Sequence, residues 1–151
     1  MNKNMVATLR NFVEAYENYC KPICKELKMP QMAFDILMFF ANNTEYHTAK
    51  DICRMRGFKE NIVSVNVNKL VSQGYLIREE ITGDRRKIKL SCTEKAQPIV
   101  EKGRKMQDEF QVAIRKNISP EEMIVFQKCI NTLLENAVEL SNKKIDLTLN
   151  Q

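Results

Sequence analysis

A chain of 151 residues with a net charge of +5 is one domain's length and long enough to bury a core of its own. No apolar run approaches the ~20 residues of a membrane helix, and Met1-Asn2-Lys3-Asn4 lacks the start of a signal peptide, so a cytoplasmic protein is expected. Five cysteines in no disulfide-framework spacing fit reduced thiols; four glycines form no phosphate-cradling loop and the one histidine sits in no nucleophile–base setting, which argues against an enzyme.

Val6, Leu9, Phe12, Val13, Tyr16, Cys20, Ile23, Cys24 and Leu27 recur at helical spacing and predict a helix from 5 to about 27. Pro22 removes one ladder hydrogen bond, so a kink or break is expected near Asn18–Pro22. Pro30 suits a helix's first turn. Met32 to Ala41 is apolar nearly all round, the mark of a central buried helix that Asn42-Asn43 ends. Thr48 with Asp51 predicts a capping box that opens a short helix, Ala49 to Met55, closed by Gly57.

A helix from Glu60 to Gln73 sets Val63, Val67, Leu70 and Val71 on one side, at about 100° per residue. Opposite lie Asn61, Val65, Asn68 and Ser72, with Ser64 and Lys69 at the flanks. This outward face is small, mostly neutral and rich in groups that both donate and accept hydrogen bonds. An ordinary solvated face would be dominated by Lys, Glu and Arg.

Gly74 ends that helix, and Tyr75 to Thr93 reads as two short strands around Gly83-Asp84-Arg85-Arg86-Lys87. In the second strand Ile88, Leu90 and Cys92 form the buried side against Lys87, Lys89 and Ser91. In the first, Tyr75, Ile77, Glu79 and Ile81 alternate with Leu76, Arg78 and Glu80, a polar side that Leu76 interrupts. Gly83 permits the positive φ of a tight turn. Three consecutive cations at a tip repel one another and suit an external polyanion, and Arg78 to Lys105 carries nine Lys/Arg against five Asp/Glu. Helix, short turn, helix and basic hairpin describe a winged helix-turn-helix.

Beyond the hairpin, Thr93 is expected to cap a helix to about Asn117, with Ile99, Val100, Met106, Phe110 and Ile114 as its apolar side and Pro98 near its start. Ser119-Pro120-Glu121-Glu122 opens another helix, along which Met123, Phe126, Ile130, Leu133, Ala137 and Leu140 step by three and four. Too little chain remains to cover both stripes, so a second copy is expected to cover them with terminal helices interleaved. Lys144 to Gln151 should fray. The fold class is mainly α with a small antiparallel β-hairpin wing. Residues 1–151 form a single domain, with 1–29 and 94–151 as dimerisation helices and 30–93 as the winged helix-turn-helix lobe.

Asp84-Arg85-Arg86-Lys87-Ile88-Lys89-Leu90-Ser91-Cys92-Thr93-Glu94-Lys95 resembles the wing and exit of the MarR family of bacterial transcriptional regulators, with its Asp-x-Arg, alternating apolar residues and Leu-Thr-x-x-Gly. Leu70-Val71-Ser72-Gln73-Gly74-Tyr75-Leu76 is similar to that family's Leu-x-x-x-Gly junction. Cys92 and Ala96 replace the usual Leu and Gly, Lys59 stands where a Ser often caps the recognition helix, and Val65 where a polar or basic residue is frequent. The resemblance implies a homodimer that binds a pseudopalindromic operator in double-stranded DNA, usually as a repressor. It also implies a response to a small aromatic or lipophilic effector or to oxidation of a cysteine; no other cofactor and no membrane partner are expected.

On this reading Asn61, Ser64, Val65 and Asn68 meet base edges in the major groove, where Asn can pair bidentately with adenine and Val65 can touch a thymine methyl. Lys69 contacts a phosphate. Arg85 or Arg86, with Lys87, serves the adjacent minor groove; the resemblance favours Arg86, steadied by Asp84. Core packing accounts for the methionines and for Tyr16, Tyr19, Phe34, Phe39 and Phe40 better than a ligand pocket does. Two alternatives stay open: a thiol- or metal-responsive regulator using Cys20 and Cys24, one turn apart, and a winged-helix module that binds protein instead of DNA.

Overall fold

Seven buried residues of one helix, Gln31–Asn42, are the centre on which the other elements of the lobe pack. The computed structural model describes residues 3–43, 45–81 and 84–148, and side chains over 7–43, 45–80 and 88–141. The elements run α1 (Lys3–Glu26), α2 (Gln31–Asn42), α3 (Ala49–Arg56), α4 (Glu60–Ser72), β1 (Leu76–Ile81), β2 (Asp84–Cys92), a 3₁₀ turn (Glu94–Ala96), α5 (Gln97–Ile114) and α6 (Pro120–Thr148). The chain forms two compact units, 1–111 and 112–151.

In the first unit Phe34, Ile36, Leu37 and Met38 of α2 are essentially inaccessible to water. Around them close Cys20 and Ile23 of α1, Ile52 of α3, Val63, Val67 and Leu70 of α4, Leu76 and Leu90 of the hairpin, and Val100 and Met106 of α5. Helix α5 approaches through Gly103, where an added Cβ would fall 2.4 Å from Met38 Sδ and 3.2 Å from Phe34 Cε2. A glycine that weakens the helix locally is what lets α5 reach α2.

The expected break at Pro22 does not occur: α1 runs unbroken from Lys3 to Glu26 with Pro22 inside it. An interior proline costs a helix about 3 kcal/mol. Burial of Cys20 and Ile23 on either side of it offsets that cost. The helix stops at Lys28, which takes the left-handed conformation (φ 49). The Met29 amide then bonds the Cys24 carbonyl at 3.0 Å and the Lys28 amide the Lys25 carbonyl at 3.2 Å, a Schellman closure sealed by buried Met29. Helix α4 ends the same way around Gly74 (φ 74), with Tyr75 bonded to the Leu70 carbonyl and Gly74 to that of Val71, both at 2.9 Å. This closure turns the chain directly into the hairpin.

The capping box on α3 forms as expected, and Gly57 (φ 67) closes the helix. The Asp51 carboxylate accepts from the Thr48 hydroxyl at 2.8 Å and from the Thr48 and His47 amides at 2.9 and 3.2 Å. Burial pushes this carboxyl up, but the hydrogen bonds outweigh it and hold Asp51 below the usual carboxylate range. A depressed folded-state value adds stability above the unfolded value of ~3.9, which is lost as pH falls through the folded one. Thr48→Ala should therefore cost about 0.5–2 kcal/mol in urea unfolding at neutral pH. The difference from wild type should shrink as the pH is taken down through the folded Asp51 value.

β1 and β2 pair antiparallel, Leu76 opposite Cys92, Arg78 opposite Leu90 and Glu80 opposite Ile88, with a register shift between Glu80 and Ile81. Residues opposed in such a ladder share a face. The hairpin's inner side at its base is therefore Leu76, Leu90 and Cys92, and the expected assignment of the first strand is reversed. Leu76 is buried, while Ile77 and Ile88 are exposed. Gly83 lies outside the described residues. The Leu90 amide bonds the His47 carbonyl at 2.7 Å, tying the hairpin to the loop before α3. Thr93 does not cap the following helix: its hydroxyl donates to the Gly74 carbonyl at 2.7 Å, closing the hairpin base, and the 3₁₀ turn separates it from α5.

The second unit contains α6, opened by a capping box in which the Ser119 amide donates to the Glu122 carboxylate at 2.8 Å and the Glu122 amide to Ser119 Oγ at 3.2 Å. The helix continues to Thr148, beyond the expected fraying point, with no glycine or later proline to end it sooner. Ile124, Val125, Phe126, Leu133, Leu134, Val138 and Leu140 are all more than half exposed along it. Among the described residues no helix is long and apolar enough to cross a membrane.

Candidate nucleic-acid interface

Helix α4 is anchored by Val63, Val67 and Leu70, which are buried, and packs against α2, α3 and β1. That anchoring fixes its rotation, so the opposite face stands in solvent. Asn61, Ser64, Val65, Asn68 and Lys69 are all exposed, Val65 at 67%. An apolar residue so exposed at the centre of a neutral polar face is a poor solvated surface and a good groove contact. Lys59 makes no side-chain cap, as its replacement of the usual Ser implies.

Not every polar group on this helix is available to a ligand. Ser72 Oγ donates to the Lys69 carbonyl at 2.9 Å and Asn66 Nδ2 to the Ile62 carbonyl at 2.9 Å, so both are tied to their own helix. Asn68 is engaged differently: its Oδ1 accepts from Arg78 Nη2 on β1. Arg78 was not singled out in the sequence. Its place two residues after Leu76, on the strand side that turns toward α4, was the signal that could have found it. Lys95, on the 3₁₀ turn, donates to the Gln73 carbonyl at 2.8 Å and lies 5.1 Å from the centre of the Tyr75 ring. The ion pair between Lys89 and Glu79, at 4.0 Å, spans the solvent side of the hairpin.

The backbone of 84–87 forms the distal end of β2. The side chains of Asp84, Arg85, Arg86 and Lys87 lie outside the described residues, so their roles stand as proposals.

Away from this face, a cleft of about 580 Å³ opens between α1 and α5. It is lined by Tyr19, Pro22, Ile23 and Met106 together with charged Glu26, Lys102, Lys105 and Glu109. Glu26 and Lys102 are ion-paired across it. Of the aromatic residues and methionines weighed above, only Tyr19 and Met106 line it. Phe34, Phe39 and Phe40 are core. Behind α1, Gln107 donates to the Tyr16 hydroxyl at 3.1 Å and accepts from Asn42 at 2.8 Å. Burial raises the Tyr16 hydroxyl well above its ordinary range.

Cys20 is fully buried, and burial pushes its thiol up; burial likewise takes Cys24 up to about 11. Cys24 Sγ lies 3.6 Å from Gln31 Oε1, whose amide nitrogen donates to Asp35 at 3.0 Å. Thiols held protonated in this way are weak nucleophiles and weak metal ligands. Among the described residues no three of His, Cys, Asp or Glu are grouped to hold a metal ion.

The MarR family profile matches residues 27–87, from just after α1 into the second strand of the wing. Over that stretch the chain is similar to the MarR family. Its fold is that of solved MarR-family transcriptional regulators. A Silicibacter pomeroyi regulator is 16% identical, with a TM-score of 0.78 over 92% of this chain and 93% of that one. A Peptoclostridium difficile MarR protein is 19% identical, with a TM-score of 0.76 over 91% and 89%. Staphylococcus aureus MarR in complex with salicylate and kanamycin is 20% identical, with a TM-score of 0.67 over 91% and 95%. No curated protein matches the sequence.

Proposed function

We propose that this chain is a MarR-type, sequence-specific DNA-binding repressor that acts as a homodimer on a pseudopalindromic operator and is released by a small-molecule effector. The observation that carries the reading is the outward face of α4: rigidly held, exposed, neutral, and flanked by the hairpin with its run of three cations. Asn61, Ser64, Val65 and Asn68 enter the major groove, Lys69 meets a phosphate, and Arg86 or Arg85, with Lys87 and steadied by Asp84, enters the neighbouring minor groove.

Support for the dimer is the apolar surface left exposed on the terminal helices. Leu9, Phe12 and Val13 of α1 are more than half exposed, as is the stripe on α6 that includes Phe126, Leu133 and Leu140. Helices this apolar on their outer sides need a partner. Residues 1–29 and 94–151 would supply the interface and 30–93 the DNA-binding lobe. For the effector, the α1–α5 cleft falls in the ~300–1,000 Å³ range of small-molecule sites. A fold relative is solved with salicylate and kanamycin.

The reading is tested at the wing. Arg86→Ala should weaken operator affinity by about 1–3 kcal/mol and reduce the salt slope by about one. Unchanged affinity at matched salt would take the wing out of the mechanism. Binding to a protein partner with no retention of any duplex in a gel shift would favour the interaction-module alternative.

A further inference from the structure

We infer that Arg78 sets the base preference of Asn68: by holding the Asn68 carbonyl oxygen toward the wing it turns the amide N–H groups to the groove, so Asn68 selects an acceptor base edge, guanine or thymine, instead of adenine. The inference rests on the proposal that α4 reads DNA.

The orientation of the Asn68 amide follows from chemistry. A guanidinium carries five N–H donors and no acceptor, so the amide atom it meets must be oxygen. Arg78 Nη2 therefore donates to Asn68 Oδ1, and the Asn68 NH₂ group is turned away from the wing. The contact is built into the fold. Arg78 stands opposite Leu90 in the ladder, and Leu76 and Leu90 on the same side of the hairpin are buried. Its side chain consequently leaves the strand on the side that packs against α4. The Schellman closure at Gly74 fixes where β1 starts relative to the end of that helix.

Bidentate recognition of adenine requires an asparagine to accept from the N6 amino group and donate to N7 at once. Oδ1 keeps a second lone pair, but its bond to Arg78 turns that oxygen toward the wing and the NH₂ group away from it, so acceptor and donor are not presented side by side. A charge-assisted hydrogen bond is roughly twice as strong as a neutral one, so the adenine amino group does not displace Arg78 on equal terms. What remains is a donor pair, complementary to guanine O6 and N7 or to thymine O4. Adenine reading then falls to Asn61, whose side chain carries no such restraint among the described residues; Asn66 is tied to the Ile62 carbonyl.

The test is selection of bound duplexes from a random library by the full-length chain, comparing wild type, Asn68→Ala, Arg78→Met, Arg78→Lys and the Asn68→Ala/Arg78→Met double variant. The base pair whose preference Asn68→Ala flattens is the one Asn68 reads. There, wild type should favour guanine or thymine, and Arg78→Met should move the preference toward adenine by roughly ten-fold while leaving other positions unchanged. Arg78→Lys, which keeps a donor, should retain the wild-type preference, and the double variant should match Asn68→Ala. Adenine already favoured in wild type, or a uniform loss of affinity in Arg78→Met with its base pattern intact, would overturn the inference while leaving DNA binding standing. No sequence enriched by wild type would instead overturn the DNA reading of α4, and this inference with it.

Discussion

Replacing Phe34 with alanine should lower the free energy of unfolding by about 3–5 kcal/mol, a large part of the ~5–15 kcal/mol that holds a domain of this size. Phe34 is fully buried on α2, and its ring edge is one wall of the tight contact that Gly103 of α5 makes. The cavity cannot be filled by a neighbour. Ile36, Leu37 and Met38 are themselves inaccessible, and α5 is already at contact distance. Denaturant unfolding should show a lower midpoint with an unchanged slope. A loss under 1 kcal/mol would mean that α2 is not the centre of the core.

Val65→Glu should have the opposite profile, with stability left within about 0.5 kcal/mol and DNA affinity reduced by 100-fold or more. Val65 is 67% exposed, so no core contact is lost. A glutamate in the middle of the α4 face would bring a negative charge against base edges and phosphates. Fluorescence anisotropy on a labelled duplex, with a melting curve on the same sample, separates the two effects. Affinity equal to wild type would remove α4 from the interface.

Much of the lobe was legible because its signals are local. The Thr48–Asp51 box marks a helix start through side chains three residues apart, as the Ser119–Glu122 box does for α6 outside the lobe, and Pro30 marks the start of α2 by its fixed φ. Gly57 and Gly74 mark helix ends through the positive φ they allow. The α4 face was legible for the same reason, since three buried residues at helical spacing fix where Asn61, Val65 and Asn68 point. The failures share a different cause. Pro22 obeys a local rule that packing of Cys20 and Ile23 overrides. Period-2 alternation in β1 defines two sides but does not say which turns inward, and Ile77 and Ile88 are apolar residues that the pairing leaves exposed. Arg78 and Asn68 meet across ten residues of chain, through the ladder register and the turn at Gly74, so neither residue alone announces the contact. Gly103 reads as a weak point in a helix until Met38 is seen against it.

The most direct measurement is the affinity of the purified chain for the genomic duplex it retains best, against a scrambled duplex of the same composition, from about 50 to 300 mM salt. The expected result is a specific affinity roughly 10³-fold or more above the scrambled one, with log K falling linearly in log salt. Equal affinity for the two duplexes across that range, or no binding to either at the lowest salt, would contradict it.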